Sequence, residues 1–395
     1  MIAQGRAGKR GRVRFGQNRT MDVNAPLALL GGLSPAAFMR RHWQRKPLLV
    51  RQAWPGAAPP LPRREMFALA SSEDVESRLV VCASGRWRVR PGPLPGRALP
   101  PLSRPGWTLL VQGLDLHVAA AREMLERFRF VPDARLDDLM MSWASPGGGV
   151  GPHIDSYDVF LLQVQGRRRW RVGRVADASC VEGEPLKLLR RFEPEHDWLL
   201  EPGDMLYLPP RWGHDGVAEG GDCMTCSIGF RAPTAGELGR ELLQRLADED
   251  DDDDEGPLYR DPQQGATATP GAVPDALLDF AQAAVARRLA DPQALARALG
   301  GLLTEPKPRV WFEHQSAGSG AGGVRLDARS RMMYDPRHVY LNGEAFAARG
   351  RDARLMRQLA DRRRLSAADC ARLSPPAAAL LAEWAEAGWL HGDST

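Results

Sequence analysis

The sequence predicts an α+β protein: a barrel of short strands at its centre, then a run of helices, then a small mixed unit. Three observations carry this. Between Leu139 and Arg231 the segments LMMSWAS, GPHIDSYDVFLLQV, GRRRWRVG, DWLLEPGDMLYLPP and CMTCSIGFRA follow one another closely, separated by Gly, Pro and Asp turns, which is the spacing of a compact β-sandwich or barrel. After Ala232 the apolar spacing becomes helical, through GELGRELLQRLA and DALLDFAQAAVARRLADPQALARALGGLL. The last ninety or so residues return to strands and short helices. At 395 residues the chain is long enough for two or three domains.

The elements follow in order. Residues 1–20 carry six basic side chains and no acid; without the apolar middle of a secretory signal they read as a disordered basic tail. Met21 opens a more ordinary sequence and is a second candidate start, which an intact mass of the native protein decides. In the stretch from Leu27 to Pro55, Ser34-Pro35 starts a helix whose apolar face includes Phe38 and Trp43, and PLLVRQA reads as a strand. Residues 60–135 read as scaffold, with the alternating RLVVCASGRWRVR as a β pattern. The resulting boundaries are a barrel domain over 21–233, a helical region over 234–304 and a winged-helix-like unit over 305–395. Inside the helical region, the acidic run Asp248 to Glu255 reads as a solvated loop without chemistry. The final unit reads as strand RVWFEH, a Gly/Ser-rich turn, MMYDPRHVYLNG, and helices around Leu355–Leu373 and Pro376–Trp389.

Composition narrows the class. Hydrophobic residues make up 43% and charged residues 26%, ordinary values for a soluble protein, and no apolar run approaches the ~18 residues of a membrane span. Five scattered cysteines do not form a secreted disulfide framework, so a reducing cytoplasm fits. A net charge of +4 is too small to argue for a global nucleic-acid-binding field.

The chemistry is carried by three residues. On a strand, positions two apart share a face, so His153 and Asp155 project together. His214 follows EPGDMLYLPPRWGH, where a Gly-Asp turn opens a strand and Pro209-Pro210 ends it, and a closing hairpin returns it to the first pair. An isolated HxD is usually only a surface or hydrogen-bonded pair; joined to this second segment it reads as a metal site. Two imidazoles and a carboxylate on one face leave positions open for a 2-oxo acid and O2, the facial arrangement of non-haem Fe(II) oxygenases. The barrel is then expected to be a double-stranded β-helix, with Fe(II) as metal and 2-oxoglutarate and O2 as cosubstrates.

A cosubstrate carboxylate calls for a cation. In GRRRWRV, Arg168 shares a face with Trp170 and Val172, while Arg167, Arg169 and Arg171 lie opposite, so Arg168 points into the barrel and offers a bidentate guanidinium. Thr225 and Ser227 share one face and are candidate cosubstrate contacts, although buried hydroxyls satisfied by backbone are as common. Tyr157 continues the His153 and Asp155 face; substrate pocket and core are equal readings of it. Cys223 and Cys226, three apart on a strand, face opposite sides and lack a second pair, which argues against zinc. His42, His117, His196, His314, His338 and His391 show no ligand spacing.

The text SPGGGVGPHIDSYDVFLLQVQGRRRWRVG, with EPGDMLYLPPRWGHDG and CSIGFRAP, resembles the JmjC-type ribosomal oxygenases. It is most similar to the bacterial branch, which hydroxylates an arginine of a large-subunit ribosomal protein. The likeness covers Leu27 to Pro233; beyond it the helices and winged helix match in order and size. It implies a cupin/JmjC barrel, a helical dimerisation region and hence a homodimer, metal ligands at His153, Asp155 and His214, and a 2-oxoglutarate contact at Arg168. Animal relatives carry lysine where Arg168 stands. Family members often carry asparagine at Thr225, which weakens that contact. The acidic run and basic tail are not part of the family pattern. The implied reaction is C3 hydroxylation of an arginine in the sixteenth large-subunit ribosomal protein. Hydroxylation of another residue or lysyl demethylation are alternatives within the class. A non-catalytic cupin and winged-helix module that contacts RNA or DNA, with ribosomal RNA as the favoured partner, through the arginines between Arg349 and Arg364 is the alternative outside it.

Overall fold

The computed structural model describes residues 21–248, 257–314 and 322–393. The basic tail, nearly all of the acidic run and the Gly/Ser-rich turn before Gly322 lie outside them. The first helix, Pro35–Arg41, begins where the sequence places it: Ser34 Oγ accepts the Ala37 N–H at 3.2 Å and a proline occupies the first turn. The strand expected from PLLVRQA is confined to Leu48–Val50, because Gln52 takes a left-handed φ of +48°. The alternating stretch RLVVCASGRWRVR is a hairpin, Ser77–Ala83 against Arg86–Pro91. Both of its turn residues, Ser84 and Gly85, have positive φ, the twist that two-residue hairpin loops require.

A ten-stranded sheet dominates the molecule. Its centre differs from the expected series of short strands: Asp158–Arg174 and Trp212–Phe230 run 17 and 19 residues and pair with each other along most of their length. Each changes neighbours partway. Residues 159–162 pair with Met205–Leu208, whereas residues 168–172 pair with His196–Leu200. The switch falls at Gly166, whose φ is +64° and whose missing Cβ would lie 2.9 Å from the Asp222 carbonyl. A glycine bend opposite a register shift between Glu219 and Met224 lets one strand serve two walls of the folded sheet.

Because side chains alternate along these strands, Phe160, Leu162 and Val164 enter the main core, and Val159 and Leu161 enter a second cluster with Trp170, Val172, Leu206 and Leu208. In the main core Phe38 meets the Tyr207 ring edge-on at 4.9 Å and Phe160 lies 4.9 Å from Phe128. Each fully buried aromatic of this kind stabilises the fold by about 1.5–3 kcal/mol relative to exposure. The N-terminal helix thus anchors the outside of the barrel and leaves its interior to the site.

Three helices follow, Ala235–Asp248, Asp275–Leu289 and Pro292–Thr304. The C-terminal unit has its own core, including Leu341, Met356, Leu359, Trp384 and Leu390. Its main helices are Gly350–Arg362 and Pro375–Glu386, so the first starts earlier than expected and ends at Arg363, in the left-handed region. RVWFEH is not a strand: Arg309 has φ +65°, Trp311 is 73% exposed, and residues 309–314 pair with no ladder. Apolar alternation without a neighbouring strand makes no ladder, and the Val310 N–H bonds locally to the Lys307 carbonyl instead. MMYDPRHVYLNG forms the hairpin Met332–Tyr334 and His338–Leu341. No described helix is long and apolar enough to cross a membrane.

Candidate metal and cosubstrate site

The short strand His153–Ile154 pairs with the start of Trp212–Phe230, setting His153 directly opposite His214. The two rings stand 4.2 Å apart between centroids. Each imidazole is oriented by backbone: His153 Nδ1 bonds the Gly151 carbonyl at 2.8 Å and His214 Nδ1 the Trp212 carbonyl at 3.0 Å. Both Nε2 atoms are thereby turned toward Asp155, at 4.0 Å from Oδ1 and 3.5 Å from Oδ2. One ligand atom from each of the three residues lies within 4.8 Å of the others, the one such His/Cys/Asp/Glu group among the described residues. Holding Nδ1 by a carbonyl fixes the tautomer that presents a lone pair on Nε2, which is how proteins prepare histidine for a metal. Burial, together with His153, lowers the His214 pKa to about 4, so this imidazole stays neutral and ligating at neutral pH. The donor set fits a divalent metal of the facial-triad type.

Arg168 is turned inward as the strand period predicts: it is 4% exposed, while Arg169 pairs with Glu219 and Asp197 at the surface and Arg171 with Asp215. Its Nε donates to Cys223 Sγ at 3.5 Å, and its Nη2 is buried without any partner. A buried guanidinium nitrogen left unbonded is costly; the carboxylate of a 2-oxo acid is a ligand that removes the cost. Cys223 packs with Ala144 and Ala218 on the barrel side, and Cys226 lies in the main core, so the pair does face opposite ways. Both are free thiols.

Thr225 and Ser227 are buried. Thr225 Oγ1 already donates to Gln163 Oε1 at 2.9 Å, so a cosubstrate contact there competes with an existing bond. Tyr157, 39% exposed, stands at the mouth; enclosure and the adjacent carboxylates of Asp155 and Asp138 raise its phenol pKa. The other histidines named above join no metal group among the described residues.

Sequence reasoning missed three groups. Gln163, wholly buried, binds Thr225 and lies 3.4 Å from Cys223 Sγ. Cys223 touches Arg168. Asp138 accepts the Gly113 N–H at 2.8 Å, and burial raises its carboxyl to about 6. Gln163 and Asp138 do lie on the correct strand faces, two residues from Leu161 and Met140, but alternation alone says nothing about which polar residue faces another across the barrel.

Fold and site define a cupin-type β-sheet domain with a His-Asp-His cluster that could hold a metal and a buried arginine beside it. A JmjC domain profile matches residues 123–238 and a ROXA-like winged helix profile matches residues 287–391. The chain is 41% identical over 213 residues to a ribosomal protein uL16 3-hydroxylase of Escherichia coli, covering 53% of this chain and 55% of that one. It is 38% identical over 225 residues to a probable ribosomal oxygenase of Haemophilus influenzae, covering 56% and 55%. These alignments span about half the length of the curated relatives. Solved structures of the Escherichia coli ribosomal oxygenase YcfD match along nearly their full length. One has a TM-score of 0.79 at 30% identity and covers 90% of this chain and 97% of that one. Another, a complex with cobalt and 2-oxoglutarate, has a TM-score of 0.77 at 29% identity and covers 92% and 99%. The chain belongs to the JmjC-domain ribosomal oxygenases.

Proposed function

We propose that this protein is an Fe(II)- and 2-oxoglutarate-dependent oxygenase that hydroxylates C3 of an arginine in the large-subunit ribosomal protein uL16. The observation that carries the reading is the convergence of His153, Asp155 and His214 beside the unpartnered Arg168 Nη2. His153, Asp155 and His214 hold the metal, Arg168 binds the distal carboxylate of 2-oxoglutarate, and Cys223 braces the guanidinium. Bound iron supplies activation of O2, coupled to decarboxylation of the 2-oxo acid, for insertion of oxygen into a C–H bond. The barrel walls exclude water from that event, and the backbone carbonyls of Gly151 and Trp212 keep both imidazoles aimed at the centre. Partly exposed Tyr157, with the carboxylates of Asp155 and Asp138 near it, suits a cationic side chain: a carboxylate and an aromatic face both attract a guanidinium. Thr225 and Ser227 are secondary cosubstrate contacts.

The domain reading accompanying this is a barrel over 21–233, a helical region over 234–304 and a winged-helix unit from 305. The helical region is assigned to homodimerisation, supported by exposed apolar side chains such as Leu243, Leu278 and Val285. A ribosomal substrate and the lack of a described membrane-crossing helix support a cytoplasmic enzyme. A ribosomal RNA contact through the winged helix has weaker support, since Arg357 is bonded to the Asp335 and Pro336 carbonyls and Arg363 is turned inward.

The test is anaerobic loading with Fe(II) and 2-oxoglutarate, then O2 and uL16, following succinate and a product heavier by one oxygen atom. Hydroxylated arginine from the wild type and none from His153→Ala supports the reading. Succinate without product overturns the substrate, and neither, with iron loading verified, overturns the enzyme.

A further inference from the structure

Between the barrel domain and the winged helix lies a cavity of about 100 Å³ that the chemistry above does not use. One wall comes from the helix Ala119–Glu126 and the turn after it, the other from residues 328–333 and Arg363. The two walls are joined at its edges: Arg129 donates to the Asp361 and Ala360 carbonyls, and Lys307 pairs with Asp137 at 3.2 Å. The lining is dense in charge, and nearly every acid in it is already satisfied. Asp133 is held by Arg129, Asp137 by Arg231 and Lys307, and Asp115 accepts the Leu139 N–H at 2.8 Å; Glu126 is exposed at the rim.

The cations are left in surplus. Arg122 Nη2 donates to the Asp115 carbonyl at 3.2 Å, but its Nε is buried without a partner. Arg363 Nη2 donates to the neutral Asp327 and Ser330 carbonyls, and it feels Arg129 and Arg122 as well as the carboxylates of Glu126 and Asp133. The Arg331 backbone is fixed by Asn342, yet its guanidinium makes no hydrogen bond or close ion pair with any described residue. Burial, with the nearby Arg231, lowers the Arg331 pKa to about 10 against the carboxylates of Asp137, Asp133 and Asp115, so the group remains charged at neutral pH. The lining holds six cations (Arg122, Arg129, Lys307, Arg329, Arg331 and Arg363) against four acids (Asp115, Glu126, Asp133 and Asp137); desolvated guanidinium groups in excess of their counter-charges are unfavourable, and oxyanions are the ligands that their planar forks match.

We infer that the interdomain cavity binds a phosphate-sized oxyanion through Arg331 and Arg122, with Arg363 adding charge behind them. Because its walls come from two domains, the bound anion fastens the winged helix to the barrel. The space accommodates a single tetrahedral anion or the terminal group of a phosphate monoester, and a nucleobase has no room in it.

The full-length chain is titrated calorimetrically with inorganic phosphate, with ribose 5-phosphate and with a short oligoribonucleotide, at matched ionic strength in an amine buffer. Melting temperature is followed in parallel. The expected result is saturable phosphate binding that raises the melting temperature with concentration, and a loss of affinity of about tenfold or more in Arg331→Met. If Arg331→Met does not fold, Arg122→Met takes its place. Ribose 5-phosphate binding as tightly as phosphate assigns a monoester; phosphate alone assigns the free ion. Absence of saturable binding in the wild type, or equal binding in the folded variant, overturns the site. Oligoribonucleotide binding without phosphate binding likewise overturns it and gives the surface to nucleic acid. The readout does not involve oxygenase activity, so it stands apart from the proposed reaction.

Discussion

Two of the clusters that combine histidine with aspartate among the described residues make a contrast: the barrel trio, with ligand atoms left open, and the His338–Asp335 group, closed upon itself. In the C-terminal unit, Asp335 accepts the Tyr340 hydroxyl at 2.6 Å and the backbone N–H groups of Arg337 and His338, with His338 Nδ1 at 3.3 Å. Tyr340 also reaches the Ala296 carbonyl at 3.0 Å, tying the hairpin to the preceding helix. Against the opposing effect of burial, these donors pull the Asp335 carboxyl down to about 2. In the barrel, His153 and His214 use only Nδ1 on the protein, and Arg168 Nη2 has no partner. Polar groups closed upon one another make structure; polar groups oriented but left unsatisfied make a site.

The comparison breaks most visibly in the barrel. Replacing His153 by Ala is expected to lower turnover by about 10³ or more while leaving the melting temperature of the metal-free protein nearly unchanged; a variant retaining a tenth of wild-type succinate release would place the metal elsewhere. Arg168→Leu comes next, weakening 2-oxoglutarate about 10- to 100-fold, read by calorimetry on the metal-loaded protein. Equal affinity in that variant would show the orphaned guanidinium serving some other group.

In the C-terminal cluster the effects are on stability and leave turnover intact. Asp335→Asn is expected to cost about 1.5–3 kcal/mol at neutral pH, seen in denaturant unfolding. A carboxyl whose folded pKa of about 2 lies below its ordinary 3.8 contributes stability that is fully present above 3.8 and is lost as pH falls toward 2. The gap between wild type and Asp335→Asn should therefore narrow through that window; a gap independent of pH would contradict the hydrogen-bond account. Tyr340→Phe, removing one donor, is the smallest change, about 0.5–1.5 kcal/mol.

Legibility differed between these regions for physical reasons. The inward turn of Arg168 and the opposed faces of Cys223 and Cys226 follow from the two-residue period of a strand, a local property; His153 and Asp155 do converge, but the strand ends at Ile154, so Asp155 reaches the site from the loop that follows rather than from strand alternation. The Ser34 cap was equally local. By contrast, nothing near Asp138 or Gln163 in the chain signals the site, because their roles arise from strands that meet only when the barrel closes. RVWFEH misled for the converse reason: its pattern suits a strand, but no partner strand arrives beside it.

The sequence by itself determined the fold class, the candidate trio His153, Asp155 and His214 and the arginine that faces inward, since these depend largely on short-range spacing and turn chemistry. Tertiary structure decided that two strands bend at Gly166 and the opposite bulge, that Thr225 is bonded to Gln163, and that Arg331 and Arg122 line one cavity from two domains. Those facts depend on side chains far apart in the chain, and their positions are fixed only by the packing that brings the walls together.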